Sequence, residues 1–130
     1  MSKILIIDDN DSFRKMLTEM LRRAGHEILE AENGIIGIDL FNKYPVELVI
    51  TDMYMPKISG QDVIIELRNN YPKVKIIAIS GGGDSGSLKY LKNTQNFGAD
   101  KYLSKPFTMK ELLETVSAVM QIKISKTMNH

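Results

Sequence analysis

The sequence contains no cysteine, which excludes disulfides, thiolate nucleophiles and cysteine-ligated metals together. Histidine is scarce: of the two present, His26 falls in a short turn and His130 is the last residue. No H-x-x-x-H or comparable spacing exists, so any metal here must be held by oxygen. An excess of one charge is also missing, with 17 Lys+Arg against 16 Asp+Glu and a formal net charge of +1. That balance gives no global drive toward nucleic acid or an anionic membrane. The opening MSKILIIDD carries an apolar run far too short for a signal h-region or a membrane span. The expectation is a soluble cytoplasmic protein with no direct nucleic-acid or membrane contact. There is no internal repeat and no long linker. At 130 residues, 43% hydrophobic and 25% charged, the chain is one ordinary domain, long enough to bury a core.

What is present alternates. Lys3–Ile7 (KILII) is a compact apolar run ending in acids, as a buried parallel strand would be. Residues 12–24 place Phe13, Met16, Leu17, Met20 and Leu21 at helical spacing, stopped by Gly25. Glu27–Ala31 reads as a second strand, and Gly34–Lys43 as a helix closed by Tyr44-Pro45. Residues 47–51 (ELVIT) form a third buried strand leading to Asp52. A Met/Pro loop leads to a helix over Gly60–Asn70, then a fourth strand at Lys75–Ser80 (KIIAIS). The glycine-rich residues 81–86 are unsuited to a helix interior, so the next helix is expected over 87–97. Lys101–Ser104 makes strand five and residues 108–124 a final amphipathic helix, leaving 125–130 as a polar, frayed tail. The domain is accordingly set at 1–124. Five short apolar strands alternating with five helices require right-handed crossovers and helices on both faces of a parallel sheet. The predicted architecture is an α/β three-layer sandwich.

In such a sheet, ligands bind beyond the carboxyl ends of the strands. Asp8 and Asp9 follow strand one, Asp52 follows strand three, Ser80 ends strand four and Lys105 follows strand five. Each has a plain structural role available to it. Asp8-Asp9 suits the cap of the following helix, Asp52 suits a turn before Pro56, and a lone lysine before proline is usually solvated. Their joint arrival at one edge, from four parts of the chain, is what favours chemistry. Crowded carboxylates stay ionised only when something positive neutralises them. A hard divalent cation such as Mg²⁺ (or Mn²⁺ in its place) does so through oxygen ligands, and Lys105 adds a second positive centre. The result is a pocket suited to a phosphoryl group. Asp52, ending the central strand, is the expected nucleophile, and carboxylate attack on phosphorus gives an acyl phosphate.

Four strings at these positions, I-I-D-D-N-D (6–11), T-D-M-Y-M-P-K-I-S-G (51–60), I-S-G (79–81) and G-A-D-K-Y-L-S-K-P-F (98–107), resemble the receiver domain of two-component response regulators. The likeness runs over nearly the whole chain. It implies a flavodoxin-like α/β/α sandwich with strand order 2-1-3-4-5 and a cis peptide at Lys105-Pro106. It also implies a Mg²⁺ site formed by Asp8, Asp9, Asp52 and the backbone carbonyl of Tyr54. Asp52 would be the phosphoacceptor, Lys105 the phosphate-binding cation, Ser80 the switch hydroxyl and Tyr102 the switch aromatic. Phosphorylation adds charge and acceptor oxygens. Ser80 would then move toward the phosphoryl group, Tyr102 would turn inward, and the face made by helix four, strand five and helix five would change shape. The implied partners are a sensor histidine kinase or histidine phosphotransfer protein and a downstream protein target. The chain itself would be a monomer or weak dimer. By the same resemblance, the kinase would dock on an exposed surface of helix one near Phe13, Arg14 and Leu17. The domain would be a signalling switch that catalyses its own phosphorylation and dephosphorylation, not a turnover enzyme.

Two features depart from the family's usual pattern. Residues 80–98 form a longer stretch than usual, and the run of glycines at 81–86 predicts a mobile loop beside the site. Tyr54, two residues past Asp52, is expected to overhang the pocket and slow attack by water on the phosphoryl group. Two rivals stand against the receiver reading. A small haloacid-dehalogenase-type phosphatase would use Asp9-Asn10-Asp11-Ser12, but would leave Asp52 unexplained and lacks room for a cap. A flavodoxin-like nucleotide or flavin module would place Ser, Thr or Gly after strand one, where this chain has two acids.

Overall fold

The computed structural model describes residues 2–55, 57–81 and 98–128, with side chains through 121. Five short strands are laid down as predicted: β1 (Lys3–Ile7), β2 (Glu27–Ala31), β3 (Leu48–Asp52), β4 (Lys75–Ser80) and β5 (Lys101–Ser104). All pair in parallel, in the order β2-β1-β3-β4-β5. The helices are α1 (Asp11–Arg23), α2 (Gly34–Lys43), α3 (Gly60–Asn70) and α4 (Met109–Met128). The helix expected over 87–97 and the glycine run from Gly82 onward lie outside the described residues.

Side-chain alternation divides the core in two. Leu5 and Ile7 of β1, Val49 of β3, and Ile76 and Ala78 of β4 pack on one face with Phe41 of α2 and Val63, Ile64 and Leu67 of α3. Ile4 and Ile6, Leu48 and Ile50, and Ile77 and Ile79 pack on the other face with Leu17 and Leu21 of α1 and Leu112, Val116 and Val119 of α4. A period of two buried on both faces is why these strands read as unbroken apolar runs. Each fully buried Ile or Leu contributes on the order of 2 kcal/mol.

Three boundaries differ from expectation. Asn10, rather than Asp8 or Asp9, caps α1: its side chain accepts from the Phe13 amide at 2.9 Å, so the helix begins at Asp11. Strand β3 is shifted one residue forward, because Asp52 pairs with Ile79 and the Met53 amide donates to the Ile79 carbonyl at 2.8 Å. The last helix runs on to Met128, past Ile124 where a tail was expected. Residues 125–128 contain neither glycine nor proline to stop it. Its start is fixed by reciprocal bonds between Thr108 and Glu111, each 3.0 Å.

Candidate functional site

The register aligns the carboxyl ends of the strands. Ile7 stands opposite Thr51, so Asp8 and Asp52 leave neighbouring strands side by side. The Asp8 amide remains tied to the Ala31 carbonyl of β2 at 3.1 Å. On the other side the Lys105 amide donates to the Ser80 carbonyl at 2.8 Å, which carries the β4–β5 pairing to Lys105. The Lys105-Pro106 peptide is cis, as the resemblance implied. Gly60 closes the loop after β3. A Cβ there would lie 2.2 Å from the Asp52 carbonyl oxygen, so only glycine lets α3 start so near the end of β3.

Carboxylate oxygens of Asp8, Asp9 and Asp52 lie within 4.8 Å of one another. Asp8 is 1% and Asp52 6% exposed, whereas Asp9 is open to solvent. Asp8 Oδ1 accepts from the Asn10 amide at 2.8 Å. Its Oδ2 is buried with no hydrogen-bond partner among the described residues; the nearest cation is Lys105 Nζ at 3.8 Å. Burial pushes the Asp52 carboxyl up to about 6, the Asp8 charge adds to this, and Lys105 and the Tyr54 backbone amide pull the other way. Asp8 is likewise raised, by burial first, against the Asn10 amide and Lys105. A buried carboxylate oxygen without a hydrogen bond, within a cluster of acids, fits the chemistry of a cation site. An all-oxygen donor set suits a hard divalent ion such as Mg²⁺.

Lys105 has a second contact that the sequence did not suggest. Its Nζ lies 3.9 Å from the centroid of the Phe13 ring, and Phe13 meets Phe107 edge to face at 5.8 Å. Ser80 is fully buried, and among the described residues its hydroxyl has a long 3.5 Å contact to the Gly81 carbonyl. Tyr102, paired with Ala78, is half-buried against the α2–α3 side of the core. By strand alternation, Ser80 belongs to the same face of the sheet as Ala78. Tyr54 is half exposed, and its backbone amide donates to the Asp52 carboxylate.

The family model for the response regulator receiver domain matches residues 4–117. The chain belongs to this family. A receiver domain protein from Clostridium thermocellum superposes with a TM-score of 0.83 at 32% identity, covering 98% of this chain and 97% of that one. Sporulation initiation phosphotransferase F of Bacillus subtilis (strain 168) is 26% identical over 121 residues, which are 93% of this chain and 95% of that protein. The probable transcriptional regulator ycf27 of Galdieria sulphuraria is 38% identical over 120 residues, 92% of this chain but 45% of that protein. The chain spans only 12% of the sensor kinase CckA of Brucella abortus (strain 2308). Receiver domains are the phosphoacceptor switches of two-component signalling, and membership in this family displaces the phosphatase rival. Among the described residues, no helix is long and apolar enough to cross a membrane.

One expectation about this receiver is corrected. Arg14 and Leu17 do not form an exposed surface on α1; they are 8% and 1% exposed. The outward residues of that helix include Ser12, Lys15, Met16 and Glu19. Arg14 turns inward beneath the acids. It donates to the Asp8 carbonyl at 2.7 Å, to Glu30 at 3.0 Å and to Asp11 at 2.7 Å. The signal was present in the sequence: Arg14 is three residues before Leu17 and seven before Leu21, on the helix's buried stripe.

Proposed function

We propose that this receiver takes a phosphoryl group onto Asp52 from a phosphohistidine of a sensor histidine kinase or histidine phosphotransfer protein. The observation that carries the reading is the buried Asp52 at the end of the central strand, clustered with Asp8 and Asp9, while Lys105 approaches from the far side of Asp8. Asp8, Asp9, Asp52 and the Tyr54 carbonyl would hold Mg²⁺ (or Mn²⁺). When bound, the ion neutralises the acids and the developing charge on the phosphoryl oxygens. A carboxylate oxygen of Asp52 forms the new bond to phosphorus as the bond to the donor nitrogen breaks, and the departing imidazole keeps the electron pair. Lys105 balances charge on the transferred group, and the fixed backbone around Asp52 supplies alignment.

The Ser80 hydroxyl then donates to a phosphoryl oxygen and Tyr102 turns into the space it leaves. This resets the surface that a downstream protein reads. Tyr54 at the rim restricts water and so lengthens the life of the acyl phosphate. The domain works in the cytoplasm as a monomer or weak dimer and catalyses its own loading from small phosphodonors. The test is intact-protein mass after incubation with acetyl phosphate, with and without Mg²⁺, for wild type and Asp52→Asn. One Mg²⁺-dependent phosphate adduct, absent from the Asn variant, is expected. An adduct that persists in Asp52→Asn, or none under any condition, overturns the assignment.

A further inference from the structure

Arg14 is the one arginine among the described residues buried next to the acid cluster. Its charge would repel a divalent ion yet also attracts the Asp8 carboxylate, so the two electrostatic effects oppose each other and its bonds point to a geometric service. Its three bonds give that geometry. The Asp8 carbonyl belongs to the peptide linking Asp8 to Asp9, so holding this peptide plane fixes ψ of Asp8 and φ of Asp9, the two dihedrals that set the placement of one acid relative to the other. Arg14 Nη1 grips that carbonyl at 2.7 Å in a buried setting. The guanidinium is in turn anchored to β2 through Glu30 and to the first turn of α1 through Asp11, and these two acids offset its charge. On the helix side, the Thr18 hydroxyl donates to the Arg14 carbonyl at 2.9 Å.

We propose that Arg14 is a positioning residue for the metal-holding acids, bracing the Asp8–Asp9 peptide against Glu30 of β2 and Asp11 of α1. The idea rests on the reading of the acid cluster as a Mg²⁺ site. Partners that orient metal ligands from behind typically change affinity by about 10–100-fold when removed. A lysine keeps the charge but cannot span three acceptors in a planar fork, which separates geometry from electrostatics.

The experiment measures Mg²⁺ affinity by titration calorimetry on the whole chain for wild type, Arg14→Lys and Arg14→Gln. It is paired with amide hydrogen exchange at Asn10 in metal-free protein and thermal melts to verify folding. Both variants are expected to bind Mg²⁺ about ten-fold or more weakly. The Asn10 amide, bonded to Asp8 Oδ1, is expected to exchange faster while the β4 amides keep their protection. Mg²⁺ binding by both variants as tight as that of wild type, or tighter, would overturn the proposal. So would a lower melting point with affinity and Asn10 exchange unchanged, which marks a merely structural role. If Arg14→Gln does not fold, Arg14→Lys decides alone. Should wild type take up no Mg²⁺, the metal reading fails, and the metal-free exchange comparison still decides whether Arg14 braces this peptide.

Discussion

Asp100 and Asp8 sit at opposite edges of the same sheet and are treated in opposite ways. Asp100, just before β5, has its Oδ2 engaged twice, by Arg68 Nη2 at 3.1 Å and by the Ile76 amide at 2.9 Å. Arg68 is itself spent on the carbonyls of Gly98, Pro72 and Val74. The protein completes that network by itself. Asp8, more deeply buried, has one oxygen with no hydrogen bond among the described residues, two more acids within reach and a lysine at salt-bridge distance. A half-satisfied buried polar group costs stability. A domain tolerates such a cost where a ligand will relieve it. At the amino edge the acid is satisfied by the protein's own donors, and at the carboxyl edge it is not fully satisfied by the described residues, as the proposed metal site requires.

The contrast can be broken most heavily from the stable side. Arg68→Ala takes one of two donors from Asp100 and a donor from each of three carbonyls, and should cost about 3–4 kcal/mol in urea unfolding. Mg²⁺ affinity should be unchanged. A loss below about 1 kcal/mol would mean that water replaces the guanidinium and that the two edges are not so different.

Asp52→Asn should act in the other direction. The Asp52 carboxyl is raised from 3.8 to about 6 in the fold. The native state therefore disfavours its ionised form, and stability falls as pH rises from about 4 to about 6. The full shift corresponds to roughly 3 kcal/mol at most. In metal-free buffer the Asn variant should be more stable than wild type by about 2–3 kcal/mol at pH 8 and indistinguishable from it near pH 4. Saturating Mg²⁺ should close the gap at pH 8. Equal stabilities at pH 8 without metal would contradict the electrostatic tension assigned to this edge.

The smallest effect concerns the aromatic partner of Lys105. A double-mutant cycle between Phe13→Leu and Lys105→Met should give a coupling of about 0.5–1 kcal/mol, the range for a partly exposed cation–π pair. Additive losses would show that the ring merely packs on Phe107.

The elements of this fold were legible because each carries a local signal. KILII, ELVIT and KIIAIS are apolar on both faces, as strands covered by two helical layers must be. Gly25 ends one helix, and the Ser59–Asp62 box starts another. The candidate site was legible through position: in a parallel sheet the residues following the strands gather at one edge, where Asp8, Asp9 and Asp52 cluster and Lys105 reaches Asp8. Arg14 was misplaced because a charged residue on a helix is ordinarily solvated. Only the acceptors at Asp8, Asp11 and Glu30, the last of them 16 residues away, make its burial tolerable. The ring of Phe13 under Lys105 joins residues 92 positions apart and has no signature in either segment.

The sequence by itself thus determined the layers, the strand assignments and the set of residues at the carboxyl edge, because hydrophobic period and chain order suffice for these. Only the tertiary structure decided which acids are buried, that one Asp8 oxygen has no hydrogen bond among the described residues, and that Arg14 turns inward beneath them. Burial and hydrogen-bond satisfaction depend on which distant groups converge, and convergence is a property of the packed chain rather than of any stretch of it.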